Sequence, residues 1–290
     1  MLLSVVVPVY NVEAYLPECV ECLLDQGDFE YEIVLVNDGS TDGSLSIAES
    51  YAARYKNIVL HSQENMGASA ARNAGASLAR GEFVYFVDAD DYIERKSLGK
   101  VVNFAREHNL DFCGFGSTRT RERGAALPQD WTCIEREPEV MSGTRLIGRH
   151  SYNNGPWWYV FRRSLMLRHD IFFKPKARGV EDGLFTAELL IRSKRAALLP
   201  VSLYYYYISG DSVTTTDDAV RRRILRDGMD FAARDFTRLL GMAREHGADD
   251  DAITQLRTRQ ESYVFFLAVR VVNSPALLRA ARWVYQMLKR

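Results

Sequence analysis

The sequence predicts an α/β protein: a mainly parallel sheet with helices on both faces, followed by a helical C-terminal region. Three observations predict it. Short β-branched runs alternate with helical periodicity through the first half of the chain, the order that builds a parallel sheet from β-α-β units. The strand runs include continuously apolar stretches, as expected of strands buried on both faces. Polar clusters also follow three successive strand ends, at Tyr10-Asn11, Asn37 to Asp42 and Asp88 to Asp91. Ligands of open parallel sheets sit beyond those carboxyl ends.

The elements follow in order. Ser4 to Val9 is a β-branched strand ended by Pro8 and Asn11. Tyr15, Leu16, Cys19 and Leu23 recur at helical spacing, with Asn11 as the expected N-cap. Ile33 to Val36 is a second strand, stopped by the turn cluster Asn37-Asp38-Gly39-Ser40. Ile47, Ala48, Tyr51 and Ala52 mark a second helix, Asn57 to His61 a third strand, and Ala68 to Ala79 a third helix stopped at Arg80-Gly81. Phe83 to Val87 is the fourth strand. Beyond it, Ser117 to Pro138 reads as an exposed, Arg-rich excursion. Glu181-Asp182 opens a helix through Ile191, and Leu203 to Ile208 is an aromatic strand. From about Ala219 the pattern is helical to the end.

Composition narrows the class. A chain of 290 residues, 47% hydrophobic and 26% charged, can bury a full core. A formal net charge of -1 excludes a general nucleic-acid binder. Cys19, Cys22, Cys113 and Cys133 are too few and scattered for a disulfide framework, and Cys19 and Cys22 read as core thiols on one helical face. Met1 to Val9 lacks a basic leader. The apolar run Tyr263 to Val269 stops at Arg270, short of the ~20 residues a membrane span needs. The expectation is a cytoplasmic protein, at most peripheral on the inner face of the plasma membrane. Residues 276–290 carry Leu277, Leu278, Ala281, Val284, Tyr285 and Leu288 on one helical face, among Arg279, Arg282, Lys289 and Arg290. That is the make-up of an interfacial helix on anionic lipid, or of an apolar face packed on the main domain.

The chemistry concentrates at strand ends. Asp88, Asp90 and Asp91 repel one another, and such a group persists where a cation or several donors neutralise it. Oxygen ligands of this kind suit Mg²⁺ or Mn²⁺. In an extended strand end Asp88 and Asp90 point to the same side, and Asp91 fits the N-cap of the next helix. Asp38 is either part of a turn or a carboxylate that accepts from a base imide or a ribose hydroxyl. Asn65 to Asn73 enters a helix of small residues that lets a ligand or another backbone approach closely. Arg72 on it either pairs a diphosphate in bidentate fashion or lies in solvent beside tight helix–sheet packing. Trp157 and Trp158 are core or a stacking platform for a sugar.

The ordered set of these motifs resembles the family-2 glycosyltransferases of the GT-A fold. It comprises Ser4-Val5-Val6-Val7-Pro8-Val9-Tyr10-Asn11, Val36-Asn37-Asp38-Gly39-Ser40-Thr41-Asp42, Asn65-Met66-Gly67 with Ala71-Arg72-Asn73-Ala74-Gly75, and Phe86-Val87-Asp88-Ala89-Asp90-Asp91. Arg162-Arg163-Ser164-Leu165, Glu181-Asp182 and Leu203-Tyr204-Tyr205-Tyr206 look like the bacterial members that build surface polysaccharides. The resemblance spans about residues 1 to 215. It implies a Rossmann-like GT-A domain over 1–215, with a nucleotide-sugar-binding half at 1–115 and an acceptor half at 116–215, and a helical region at 216–290. It implies that Pro8, Tyr10 and Asp38 hold the nucleoside of a nucleotide-sugar donor, UDP being favoured. Asn65 and Arg72 would lie along the nucleotide and its diphosphate. Asp88 would reach the ribose or the metal, and Asp90 would ligate Mn²⁺ or Mg²⁺. Asp182 would be the general base that takes a proton from a hydroxyl of a glycan or lipid-linked glycan acceptor, with inversion at the anomeric carbon. Glu181 is expected to point elsewhere, because neighbours on a helix do not share a face.

Other classes fit less well. A G-x-G-x-x-G fingerprint and a P-loop are both missing, and Pro8-Val9-Tyr10-Asn11 is not the Gly-rich first loop of a nucleotidyltransferase. An inactive nucleotide-sugar-binding subunit of a polysaccharide assembly complex would carry the same nucleotide motifs, and only an assay for transfer or donor hydrolysis separates the two.

Overall fold

The computed structural model describes residues 1–122, 131–132, 139–208 and 219–272. The first half is built as β1 (Leu3–Val9), α1 (Leu16–Leu24), β2 (Tyr31–Asp38), α2 (Ser44–Arg54), β3 (Ile58–Gln63), α3 (Ala68–Leu78) and β4 (Phe83–Phe86). There follow β5 (Tyr92–Ile93), α4 (Leu98–Glu107), β6 (Phe112–Thr120), α5 (Gly143–His150), β7 (Tyr159–Arg162) and α6 (Arg163–His169). A 3-10 turn at Pro175–Ala177 leads into α7 (Glu181–Arg192), β8 (Ala196–Tyr207), α8 (Ala219–Glu245) and α9 (Asp250–Val272).

Among the described residues one eight-stranded sheet runs in the order β3-β2-β1-β4-β7-β6-β8-β5. The first four strands are parallel, as the alternating pattern requires. The sheet then becomes mixed: β7 is antiparallel to both β4 and β6, and β5 is antiparallel to β8. β6 and β8 are parallel. The Arg-rich stretch read as an excursion from Ser117 is not wholly one, because β6 continues to Thr120 along β8. Both expected halves of the domain share this one sheet.

Strand alternation divides the core. Val5, Val7 and Val9 face one cluster with α1, α2 and α4, while Val6, Val34 and Val36 face another with α3, α5 and α7. The second cluster also takes Ala232, Phe236 and Leu239 of α8 and Leu256 and Tyr263 of α9. The C-terminal helices therefore complete the second face of the sheet. No helix among the described residues is long and apolar enough to cross a membrane. Residues 276–290, read above as interfacial or packed, lie outside the described residues, as does Cys133.

Two local expectations are corrected. Asn11 does not cap α1, which has Tyr15 at its N-cap position. Asn11 instead takes a left-handed backbone (φ 52°) and accepts from the Thr41 N–H at 2.8 Å, bridging two strand-end loops. Asp91 does not cap α4, whose N-cap position is Ser97. It lies buried in front of β5, where burial, with Asp90 and Asp88 nearby, pushes its carboxyl up to about 8. The Tyr204 hydroxyl at 2.5 Å and the Tyr207 N–H at 2.7 Å donate to it. Cys19 and Cys22 are buried free thiols, as read.

The small residues of α3 let it settle closely on the sheet. A Cβ at Gly75 would stand 2.3 Å from Cγ1 of Val6 and 3.1 Å from Cγ2 of Val36. Gly75→Ala should therefore lower stability by about 1 kcal/mol. Overpacking against two stiff side chains costs roughly 1–3 kcal/mol, and about 1 kcal/mol of helix propensity offsets part of it. Urea unfolding monitored by circular dichroism checks this, and a stabilised variant would contradict the packing.

Candidate active site

The strand order reverses at β1: β2 lies on one side and β4 on the other. Such a switch point opens a crevice at the carboxyl ends of the strands. A cavity of about 520 Å³ occupies it. Pro8 and Tyr10 reach it from the end of β1, Asp38 from the end of β2, and Asp88 and Asp90 from the segment after β4. Asn65 and Arg72 come from the start of α3, Pro175 and Arg178 from the turn before α7, and Glu181 from α7 itself.

At its back lies a buried cation between two acids. Arg72, its side chain 6% exposed, donates from Nη1 to Oδ1 of Asp182 at 2.9 Å and from Nη2 to Oδ1 of Asp88 at 2.7 Å. Burial alone would lower its pKa, but Asp182 and Asp88 outweigh this and hold it above the usual arginine value. Its guanidinium also lies over the Phe173 ring, 5.3 Å from the centroid. The next residue reinforces the connection. The Asn73 amide donates to the Phe173 carbonyl and accepts from the Phe173 N–H, both at 2.9 Å. Consecutive residues of α3 thus fix the segment that leads into α7. The sequence left Arg72 between a diphosphate ligand and a solvated side chain, and the structure shows it buried.

Asp38 is committed on three sides. Its Oδ1 accepts from Gln63 Nε2 at 2.7 Å and from the Met66 N–H at 2.9 Å, and its Oδ2 accepts from the Gly67 N–H at 2.8 Å. A carboxylate offers about four lone-pair sites, so one remains for a ligand. Gly39, at φ 70°, lets the turn close on the loop, since a Cβ there would lie 2.8 Å from the Asn65 backbone nitrogen. The turn and the binding reading of Asp38 are therefore compatible.

Asp90 does not continue an extended strand end but lies in a turn that begins at Asp88. The Asp91 N–H donates to the Asp88 carbonyl at 3.1 Å, closing a turn over 88–91. Asp88 and Asp90 nevertheless line the same cavity, while Asp91 is turned inward to β8.

At the start of α7, Asp182 is paired with Arg72 and its side chain is 29% exposed. Burial raises its carboxyl above the usual carboxylate range, against the pull of Arg72 and with help from Glu181 and Asp88. Its neighbour Glu181 points elsewhere, as expected, and reaches the cavity itself, whereas Asp182 is not among the residues that line it. Glu181 is buried, and its Oε2 has no hydrogen-bond partner.

The comparisons with known proteins meet this geometry. The model of the family described as glycosyl transferase family 2 matches residues 4–167. The chain belongs to glycosyl transferase family 2. A family-2 relative from Bacillus subtilis, the uncharacterized glycosyltransferase EpsJ, is 35% identical over 206 residues, covering 70% of this chain and 60% of that protein. The poly(ribitol-phosphate) β-N-acetylglucosaminyltransferase TarS of Staphylococcus aureus is 36% identical over 208 residues, covering 70% of this chain and 35% of TarS. The chain thus spans only part of these curated relatives. The crystal structure of S. aureus TarS 1–349 in complex with UDP-GlcNAc superimposes with a TM-score of 0.65 at 26% identity, covering 93% of this chain and 72% of the other. The fold is the GT-A fold of these family-2 proteins, with a helical C-terminal part. A mannosyltransferase from Pyrobaculum calidifontis, solved with GDP-Man and Mn²⁺, shares the fold alone, with a TM-score of 0.55 at 18% identity.

Family 2 implies a divalent cation, and the donor set can be tested for it. No group of three His, Cys, Asp or Glu poised around a metal exists among the described residues. Two cavity-lining carboxylates, Asp88 and Asp90, do exist, and the arginine occupies only Oδ1 of Asp88. That is too few for a closed protein cage. It fits a hard cation held by one or two carboxylates, with ligand phosphate oxygens and waters completing the shell.

Several lining residues escaped the sequence reading. Tyr206 and Arg178 line the cavity with Glu181. A cationic Arg178-Gly179 just before a helix start was the available signal for one of them. Of the tryptophans, Trp158 is buried, while Trp157 stacks on Tyr204 at 4.6 Å and 7°, so one of its faces is already covered.

Arg72→Ala should destabilise the fold by about 3 kcal/mol, the low end for breaking a buried ion pair, since both acids retain some contact with water. Chemical denaturation at neutral pH measures this, and a neutral effect would show that the bridge is dispensable.

Proposed function

We propose that this chain is an inverting glycosyltransferase that moves a sugar from a nucleoside-diphosphate sugar, UDP being favoured, to a hydroxyl of a glycan or lipid-linked glycan acceptor in bacterial surface-polysaccharide synthesis. The observation that carries the reading is the Asp88–Arg72–Asp182 bridge at the back of a cavity formed at the sheet's switch point. It sets a fixed cation, for a leaving diphosphate, beside a carboxylate that takes a proton. The capture of UDP-GlcNAc by TarS, on a chain that superimposes closely, supports the nucleotide part.

In this reading Pro8, Tyr10 and the remaining lone pair of Asp38 hold the nucleoside, and Asn65 and Arg72 follow the diphosphate. Asp88 and Asp90 would hold Mn²⁺ or Mg²⁺, which neutralises charge on the diphosphate when bound. The acceptor oxygen bonds to the anomeric carbon from the side opposite the diphosphate, and the bond from that carbon to the diphosphate oxygen breaks. The acceptor proton passes to Asp182, and the nucleoside diphosphate leaves with the bonding electron pair. One displacement inverts the carbon and needs no enzyme nucleophile. A positioned base contributes roughly 10²–10⁴-fold, and the Arg72 fork stabilises charge as it develops on the leaving group.

Asp182→Asn should reduce turnover of UDP-GlcNAc at least about 100-fold, the lower bound for a lost general base, while UDP affinity by calorimetry changes little. Equal losses of affinity and turnover would move Asp182 to the donor side. Turnover of the unaltered chain, by transfer or donor hydrolysis, also separates an enzyme from a non-catalytic binding subunit.

Asp90→Asn should remove the Mn²⁺-dependent part of UDP binding and leave the melting temperature of the ligand-free protein near its original value. Undiminished Mn²⁺ dependence in calorimetric titrations would take Asp90 out of the metal site.

A further inference from the structure

Two arginines line the cavity, and they differ in what they touch. Arg72 is committed to Asp88 and Asp182. Arg178 is exposed, and among the described residues its guanidinium pairs with no acid. Its backbone is nevertheless held firmly. A Cβ at Gly228 of α8 would come within 2.3 Å of the Arg178 carbonyl oxygen and 3.0 Å of its nitrogen. Beside it Gly179 takes φ 86°, and a Cβ there would lie 2.5 Å from Leu225 of α8.

The Arg178 side chain reaches the start of α3. A Cβ at Gly67 would lie 3.9 Å from its Nη2. Gly67 is also the residue whose N–H donates to Oδ2 of Asp38 at 2.8 Å. One residue therefore adjoins both a carboxylate with an acceptor site left and a guanidinium whose donors are not taken. The carboxylate accepts from Gln63, Met66 and Gly67, and Arg178 is not among its partners. Gly67, at φ 87°, has no side chain to fill the space beside them.

An acceptor next to a donor defines the ligand edge that fits. It must present an N–H beside a carbonyl. Uracil does so with its N3–H and its 4-carbonyl. Cytosine reverses both groups, setting a lone pair against the carboxylate and an amino group against the guanidinium. Each mismatch leaves a buried polar group unpaired, which is what makes hydrogen-bonded recognition discriminating. A phosphate fits this spot less well, because Asp38 repels it.

We propose that Arg178 donates to a uracil carbonyl while Asp38 accepts the adjacent imide N–H, so that the pair selects uracil over cytosine in the donor. This rests on the nucleotide-sugar reading of the cavity. Since α8 presses on the turn that carries Arg178, it gives the C-terminal region a part in selecting the base.

Calorimetric titration with UDP and with CDP, each with Mn²⁺, tests this. The two nucleotides differ only at the base edge in question, so a contact to the ribose or the diphosphate affects both alike. The unaltered chain should bind UDP more tightly than CDP. Arg178→Ala removes an exposed side chain, and circular dichroism should show its fold unchanged. Its UDP affinity should fall about tenfold, the low end for one hydrogen bond to a charged donor. Its CDP affinity should stay the same, so the preference for UDP falls by the same factor. Equal losses for UDP and CDP would put Arg178 on the diphosphate and overturn the proposal. Undiminished UDP affinity, or an unaltered chain that binds the two alike, would overturn it as well. An unaltered chain that binds neither nucleotide would instead remove the reading of the cavity on which the proposal rests.

Discussion

The site depends on one buried guanidinium. Taking Arg72 out of water is expensive, and two carboxylates offset that cost. One follows β4 and the other opens α7, which are 94 positions apart in the chain as Asp88 and Asp182. The planar fork matters as much as the charge, since two separate nitrogens reach two acids. Because Asn73 grips the backbone of Phe173 on the adjacent turn of chain, the approach to α7 is fixed from the same helix. The cavity keeps its shape because α3 holds both of its walls. α3 can do so because its small residues let it lie close against β1 and β2.

A second set of contacts holds the acidic turn after β4. Asp91 is spent on this. It accepts from Tyr204 and Tyr207 of β8 and so fastens the turn to the far part of the sheet. Tyr204 is stacked on Trp157, and Tyr205 on Tyr92 at 4.7 Å and 6°. Gln26 braces the next stretch, accepting at Oε1 from the N–H groups of Ser97 and Leu98 and donating to the carbonyls of Cys22 and Glu94. With Asp91 held inward, Asp88 and Asp90 are left to the cavity. A run of like charges is thereby divided into one acid turned in to β8, one paired with Arg72 and one that lines the cavity, which lowers their mutual repulsion.

The C-terminal helices belong to the same construction. Gly228 of α8 lies against the backbone of Arg178, where a Cβ would come within 2.3 Å of its carbonyl oxygen, and Leu225 fills the space beside Gly179. The turn that presents Arg178 to the cavity is thus pressed from behind by α8. α9 brings Tyr263 to the start of α7. Changes in either helix would reach the site through packing alone.

The sequence by itself determined the parallel half of the sheet and the cavity-lining residues that lie at its strand ends and on α3. Apolar runs long enough to be strands, helices of three- and four-residue period and polar strand ends are local signals. The path of the backbone turns them into one crevice. Pro8, Tyr10, Asp38, Asn65, Arg72, Asp88 and Asp90 were legible for that reason, each lying within a few residues of a strand or helix end. Only the tertiary structure decided what each group touches. Whether Arg72 faces solvent or two acids depends on α7, which arrives about 110 residues later, and no local pattern encodes that meeting. Asp91 looked like a helix cap because Asp before a helix usually is one, yet β8 claimed it with two stronger hydrogen bonds in a buried place. The packing of Asn154 and Tyr263 on Gly183 carried no sequence signal at all. Contacts of that range are fixed by the folded core rather than by neighbours in the chain.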